Sequence, residues 1–313
     1  MYRTLKRSVA RLLGSIGLRV ERIQRPNEGL PLPRWAQDLR FPTDHALPAI
    51  LRRHPDYQEN LAAIVAIVSE KYPDGVIVDV GANVGDTASL IRTVSGHPII
   101  CIEGDAYFQN FLGLNTNRMA DVHIVKAYVG ERCGSAQYQV VRNSGTMQLI
   151  RNNGEPIPII TLDSLMVSHR VLARTRLLKI DADGFDVKIL RGAETLIEKT
   201  KPVLFFEYDP TFLRQHDPYA NETIEALFNN GYEGLIIYDH LGRRLLAQDN
   251  HQSDTISQVG DYLLDKRGLL PYVDLCITSR YDHDIFTNLR SCCINDSASE
   301  SATSSQAHIH ASL

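Results

Sequence analysis

Short apolar runs that alternate with amphipathic stretches dominate the middle of the chain. Five runs of four to six residues are rich in Val, Ile, Leu and Phe. These runs are Val76–Val80, Ile99–Ile102, Val122–Ala127, Leu177–Ile180 and Val203–Glu207. Between them, apolar residues recur with the helical period of three to four positions. The helical stretches are Thr87–Val94, Ala106–Asn117 and Val187–Lys199. This alternation predicts a doubly wound α/β fold with a mainly parallel sheet.

The pattern continues on both sides of this region. A helical period at Tyr57–Lys71 precedes it, and a second one at Tyr219–Asn230 follows it. Two later apolar runs, Leu235–Tyr238 and Tyr272–Ile277, predict closing strands of a mixed, seven-stranded sheet. The segment Ala136–Thr161 breaks the rhythm because two short strand candidates flank a polar stretch. It predicts an insertion or a β-ribbon over one end of the sheet.

Composition divides the chain into four segments. Prolines are frequent between residues 26 and 48, so an extended linker is expected at 26–56, ahead of a main domain at 57–294. Residues 295–313 are small and polar, and a disordered tail is expected there.

Residues 1–25 form the fourth segment, which is basic and amphipathic with a formal charge of +6. Its apolar residues recur at helical spacing, although Gly14 and Gly17 weaken a helix. Three interpretations remain open. The segment packs on the domain or a partner, lies on an anionic membrane surface, or is an organellar transit peptide.

The overall composition excludes several partners and sites. A net charge of −4 gives no polyanion-binding signature, so nucleic acid is not an expected partner. The five cysteines show neither a CxxC pair nor metal-ligand spacing, and we assign no metal site from the sequence. A reducing cytoplasm fits this cysteine usage best. No apolar run approaches the roughly 20 residues needed to span a bilayer.

A glycine-rich turn is the first candidate for chemistry. It follows the first strand candidate and reads GANVG over Gly81–Gly85. Because glycine has no side chain, a ligand can approach this backbone closely. The spacing differs from the dinucleotide and P-loop motifs, and no lysine follows to meet phosphates. The turn therefore favours a nucleoside over a pyrophosphate, and a tight strand–helix turn without a ligand is the alternative.

Acidic residues end three further strand candidates. Glu103 lies one strand–helix unit after the turn, where a carboxylate can accept hydrogen bonds from both ribose hydroxyls. Asp181, Asp183 and Glu207 fall at the same ligand-binding edge of the expected sheet. Such carboxylates can position a substrate, hold a divalent ion or take a proton from a hydroxyl. Lys179 lies inside an apolar strand and needs a partner or water.

These motifs together resemble the FkbM-type methyltransferases, an S-adenosylmethionine-dependent family with a Rossmann-like sheet of the class I methyltransferase type. The resemblance covers roughly residues 76–208. The matching motifs are DVGANVGD at 79–86, IE at 102–103, TLDSL at 161–165 and KIDADGFDVKILRGA at 179–193. The family usually has Asp-Val-Glu-Gly where this chain has DADG at 181–184, so one carboxylate is shortened by a methylene.

The resemblance implies S-adenosyl-L-methionine as the methyl donor and makes 57–294 a methyltransferase domain. The residues implied in holding the donor are Asp79, Gly81, Asn83, Gly85 and Glu103. The implied acceptor is a hydroxyl of a sugar, polysaccharide or natural product. Because the sulfonium leaves as a neutral thioether, alignment of the hydroxyl with the methyl group should dominate catalysis. The candidates for a secondary base are Asp181, Asp183 and Glu207.

Two other functions remain open at this point. A nucleotide-sugar oxidoreductase is disfavoured by the GxNxG spacing of the turn. A cofactor-binding module without catalysis is disfavoured mildly by the intact acidic cluster.

Overall fold

The computed structural model describes residues 23–24, 31–250, 254–265 and 270–292, without the side chains of 23–24, 151–153 and 214–216. The predicted tail 295–313 lies outside these residues. The predicted basic segment 1–25 also lies outside them, except for residues 23–24, which form a strand. Within the described ranges, no helix is long and apolar enough to cross a membrane.

The strands of the described residues are numbered in chain order. They are β1 (Ile23–Gln24), β2 (Phe41–Pro42), β3 (Val76–Val80), β4 (Ile99–Glu103), β5 (Val122–Lys126), β6 (Tyr128–Val129), β7 (Gly134–Asn143), β8 (Thr146–Ile160), β9 (Thr175–Ile180), β10 (Val203–Tyr208), β11 (Tyr232–Asp239), β12 (Arg244–Asp249) and β13 (Val273–Ser279).

The α-helices are numbered in the same way. They are α1 (Leu47–Arg53), α2 (Glu59–Lys71), α3 (Asp86–Arg92), α4 (Ala106–Thr116), α5 (Leu162–Ser168), α6 (Asp186–Arg191), α7 (Glu194–Thr200), α8 (Pro210–His216), α9 (Ala220–Asn229), α10 (Thr255–Leu264) and α11 (His283–Ser291).

The main sheet has the strand order β12-β11-β13-β10-β9-β3-β4-β5. The strands from β10 to β5 are parallel, whereas β13 runs antiparallel to both β10 and β11. The predicted doubly wound, mainly parallel fold is confirmed. The sheet has eight strands instead of seven because β12 joins its edge. The sequence did not reveal β12, since its half-exposed RLLAQD segment is not a continuous apolar run.

Helices cover both faces of the sheet, which explains the nearly continuous apolar runs of its parallel strands. Val78 and Leu178 pack in the core on one face, and Ile77 and Leu177 pack in the core on the other. The predicted helix at 187–199 is divided into α6 and α7. The division lies at Gly192, where a Cβ would come within 2.1 Å of the Gly130 carbonyl oxygen.

Two segments outside the alternating pattern reach the strand ends. The predicted ribbon is confirmed as the antiparallel pair β7–β8, which lies between β5 and β9 in the chain. The prediction of an extended linker is wrong for α1, because Pro48 lies in the first turn of this helix, where proline is tolerated. Leu51 of α1 packs with Phe41, Val84 and Phe108, so this segment is part of the folded unit.

Candidate functional site

The glycine-rich turn lies at the carboxyl end of β3, between the ends of β4 and β9. Gly81, Asn83 and Gly85 have positive φ angles of 77°, 48° and 84°. A Cβ on Gly81 would lie 1.8 Å from the carbonyl oxygen of Asp181. Only glycine fits this position, because the turn passes directly against the end of β9.

Glu103 closes the turn from the end of β4. Its Oε2 accepts a hydrogen bond of 2.8 Å from the backbone N–H of Asn83, and its Oε1 accepts one of 2.7 Å from that of Asp105. Burial raises the pKa of Glu103 to about 7, although these two hydrogen bonds favour the ionised form. A carboxylate offers about four lone-pair positions, so two remain available for ribose hydroxyls.

A first cavity lies over Glu103 and the turn. It has a volume of about 70 Å³, and Met147 and Leu149 of β8 line it from the ribbon side. The chemistry of Glu103 and the bare turn fits a nucleoside, which would lie against the turn and these two ribbon side chains.

A second cavity, of about 300 Å³, adjoins the first. Four residues line both cavities: Gly81, Asn83, Asp181 and Asp183. Glu207 lines the second cavity only. The three predicted base candidates are therefore brought together, at the boundary of the first cavity or just beyond it.

The three carboxylates of the second cavity differ in their partners. Asp181 has a half-exposed side chain, 3.4 Å from the ammonium of Lys179. Asp183 accepts a hydrogen bond of 3.0 Å from the Met147 N–H, and burial together with the nearby Asp181 charge raises its pKa to about 7. Glu207 accepts no hydrogen bond from any described residue, and burial followed by the charge of Asp181 raises its pKa well above the usual range. The three carboxylates therefore differ in their burial and in their hydrogen-bond and ion-pair partners.

The partner that Lys179 needs is Asp79. The two residues are neighbours in the register of β3 and β9, and Lys179 Nζ lies 3.0 Å from Asp79 Oδ1. Burial opposes the charge of Lys179, but the carboxylates of Asp79 and Asp181 outweigh burial and raise its pKa. Asp79 is fully buried and lines neither cavity. Its place is beneath the turn, one layer below any ligand.

Gly85 also lies away from both cavities, at the start of α3, where a Cβ would come within 2.9 Å of the Leu112 side chain. Of the predicted donor-holding residues, Gly81, Asn83 and Glu103 line the first cavity. Asp79 and Gly85 support the shape of the turn.

Residues distant in sequence complete the second cavity. His45, Tyr57 and Tyr272 line it. Sequence reasoning missed them because no local pattern connects residues separated by the whole sheet. In the described part of the chain, no group of three or more His, Cys, Asp or Glu residues is arranged to hold a metal ion.

Comparison with known proteins identifies the class as a methyltransferase. Residues 79–233 match the family model described as the Methyltransferase FkbM domain. Residues 79–233 thus form an FkbM-type methyltransferase domain, as the motifs predict. No match was found among curated proteins.

Solved structures with partial similarity are also methyltransferases. One is the methyltransferase FkbM from Methylobacillus flagellatus, with 16% identity over 65% of this chain and 43% of that chain, at a TM-score of 0.38. A TehB-like SAM-dependent methyltransferase from Corynebacterium glutamicum has 8% identity over 70% and 88% of the two chains, at a TM-score of 0.35. The chain spans less than half of the first of these proteins, and at such scores the similarities add nothing to the assignment.

Proposed function

We propose that the protein is an O-methyltransferase that acts on a hydroxyl of a sugar, polysaccharide or natural product. The observation that carries this proposal is the shared wall of the two cavities. Gly81 and Asp181 belong to both, so a donor in the first cavity and an acceptor in the second would meet beside them.

The donor would be held by three features of the first cavity. Glu103 would accept hydrogen bonds from the ribose, and the backbone at Gly81 and Asn83 would lie against the nucleoside. The methionine carboxylate would lie near backbone N–H groups of the turn. Bound there, S-adenosyl-L-methionine supplies an electrophilic methyl group on a sulfonium, which leaves as a neutral thioether.

The second cavity would orient the acceptor. Its carboxylates would fix the hydroxyl within reach of the methyl group, and this alignment would supply most of the rate. One of Asp181, Asp183 and Glu207 would take the hydroxyl proton as the C–O bond forms, which contributes secondarily.

A comparison of cellular glycans and small molecules from cells that carry the wild type or Glu103→Ala tests the proposal. We expect products heavier by one methylene unit only with the wild type. Calorimetry provides the control, in which the purified wild type should bind S-adenosyl-L-methionine and not NAD. Tighter NAD binding would contradict the proposal, as would donor binding with no methylated product in any extract.

We also propose that residues 1–25 bring the enzyme to an anionic membrane surface, which would suit a lipid-linked glycan acceptor. The support is the formal charge of +6 and the apolar residues at helical spacing. Deletion of residues 1–25 should abolish co-sedimentation with vesicles that contain phosphatidylserine. Unchanged co-sedimentation would contradict this part of the proposal.

A further inference from the structure

The lining of the second cavity combines carboxylates with aromatic and aliphatic side chains. The carboxylates are Asp86, Asp181, Asp183, Glu207 and Asp209, and the apolar and aromatic residues include Leu47, Ile50, Tyr57, Phe212 and Tyr272. An occupant must therefore satisfy both polar groups and apolar surface.

The lining of the second cavity offers little positive charge to an anion. Among the described residues, Lys179 is the one lysine or arginine in this lining, and its ammonium already contacts Asp79 and Asp181. The described lining also includes His45, whose pKa is lowered by burial, so it is neutral at physiological pH. A carboxylate or phosphate here would lie among Asp181, Asp209 and the other acidic groups without a compensating charge.

Glu207 offers unused hydrogen-bonding capacity. Its side chain lines the cavity and accepts no hydrogen bond from the described residues. By contrast, Asp209 is engaged at the start of α8, where it accepts hydrogen bonds from the N–H groups of Thr211 and Phe212. A hydroxyl satisfies Glu207 in either protonation state, because a hydroxyl can both donate and accept a hydrogen bond.

The tyrosine pair adds a surface of mixed character. Tyr57 precedes α2 and Tyr272 precedes β13, so the two residues approach the cavity from opposite ends of the chain. Each ring presents an apolar body, and each hydroxyl can both donate and accept a hydrogen bond. This combination fits a ring with an apolar C–H face and hydroxyls at its edge. Both tyrosines lie outside the FkbM-matching residues 79–233.

We infer that the methyl acceptor is presented to the enzyme as a neutral polyhydroxylated ring, recognised by Tyr57, Tyr272 and Glu207. By this inference, rings that carry a carboxylate or phosphate group are not methyl acceptors of the enzyme. This inference rests on the proposed O-methyltransferase function. It assigns part of acceptor selection to Tyr57 and Tyr272, which lie on either side of the FkbM-matching residues 79–233.

Saturation-transfer NMR on the full chain, with S-adenosylhomocysteine bound, tests this inference. The probes are glucose, galactose and mannose as neutral rings, and glucuronate and glucose 6-phosphate as anionic ones. At least one neutral hexose should bind, and both anions should bind at least tenfold more weakly than that hexose. Equal or tighter binding of either anion, or no binding of any neutral hexose, overturns the inference.

Substitutions locate the effect in the second cavity. Tyr57→Phe and Tyr272→Phe should each weaken hexose binding severalfold, and Glu207→Gln should narrow the difference between glucose and glucuronate. The control is Tyr262→Phe, on the exposed face of α10, which should bind hexose like the wild type. Hexose binding that is unaffected by both cavity tyrosine variants would place recognition elsewhere and overturn the inference.

Calorimetry with S-adenosylhomocysteine separates the two levels of the proposal. If the wild type fails to bind S-adenosylhomocysteine, the methyl-transfer function fails. If it binds S-adenosylhomocysteine but accepts anionic rings, only the inference about the acceptor fails.

Discussion

The side-chain amide of Asn83 donates a hydrogen bond of 2.6 Å to the carbonyl oxygen of Gly145. This bond joins the glycine-rich turn to the tip of the β7–β8 ribbon. The ring of His45 packs against the same tip, since a Cβ on Gly145 would come within 2.7 Å of it. The ribbon is therefore held over the glycine-rich turn, and Met147 and Leu149 of β8 line the first cavity.

An ion pair with two hydrogen bonds holds the ribbon in place, and its loss should speed the dissociation of a bound ligand. Arg142 of β7 donates hydrogen bonds of 2.6 and 2.7 Å to Asp105, at the start of α4. Arg142 is partly exposed, so we assign the pair only about 1 kcal/mol. Arg142→Ala should increase the dissociation rate of S-adenosylhomocysteine roughly fivefold, measured by stopped-flow fluorescence.

Hydrogen–deuterium exchange provides a second measurement of the same variant. The amides of β7 and β8 should exchange faster in Arg142→Ala than in the wild type. Arg132→Ala is the matched control, because Arg132 is 87% exposed and contacts only the neighbouring Glu131 at 3.5 Å. Equal rates in Arg142→Ala and Arg132→Ala would show that the ion pair does not restrain the ribbon.

Donor affinity should depend on pH through Glu103. Its pKa is raised to about 7, and the ionised form is the one that accepts hydrogen bonds from ribose hydroxyls. Affinity should therefore rise with pH and level off above the pKa, with about tenfold weaker binding at pH 6 than at pH 8. Calorimetric titration with S-adenosylhomocysteine across this range measures the effect.

Two variants assign that pH dependence. Glu103→Gln should bind weakly and with little change across the range, because it has no carboxyl to titrate. The pKa of Asp183 is also raised to about 7, so Asp183→Asn is the necessary comparison and should retain the rise. If the rise in affinity with pH persists in Glu103→Gln and disappears in Asp183→Asn, the titrating group is Asp183.

Lys179 should be critical for stability because its partner is buried. Lys179→Met leaves the fully buried Asp79 carboxylate without its ion pair, which typically costs about 3–5 kcal/mol. Urea unfolding measures this loss. The double variant Lys179→Met with Asp79→Asn removes both charges and should recover most of it. A double variant no more stable than Lys179→Met would show that the ion pair is not the cause.

The turn should tolerate no side chain at Gly81. Gly81→Ala would place a methyl group at 1.8 Å from the Asp181 carbonyl oxygen, so the turn or the end of β9 must shift. We expect loss of measurable S-adenosylhomocysteine binding by calorimetry. Gly96→Ala is the control, because a Cβ there meets nothing within 4 Å and should leave binding unchanged. Normal binding by Gly81→Ala would contradict the assigned donor site.

The sequence predicts the strand-end half of the site well. In a parallel sheet, the carboxyl ends of all strands lie at one edge, so Glu103, Asp181 and Glu207 lie at the same edge wherever their strands fall in the order. The unusual position of Lys179 inside an apolar strand also indicates a buried partner, and that partner is Asp79.

The other half of the site depends on contacts that no local pattern records. Tyr57 and Tyr272 meet because β13 inserts between β10 and β11, a pairing that joins distant parts of the chain. The position of Gly145 over the turn depends on where the ribbon folds back, and hydrophobic periodicity does not specify that. The break between α6 and α7 also depends on a contact between distant residues, because the backbone of Gly130 lies too close to Gly192 for a side chain there.

The insertion of β13 also has a consequence for the order of folding during synthesis. β10 leaves the ribosome before residues 273–279, and until these residues emerge its outer edge has no antiparallel partner. This edge belongs to the apolar segment Val203–Tyr208, the kind of exposed strand that recruits chaperones or pairs with other chains. A fragment that ends at residue 233 would keep this edge open permanently and should aggregate, even though it contains the whole FkbM-matching region.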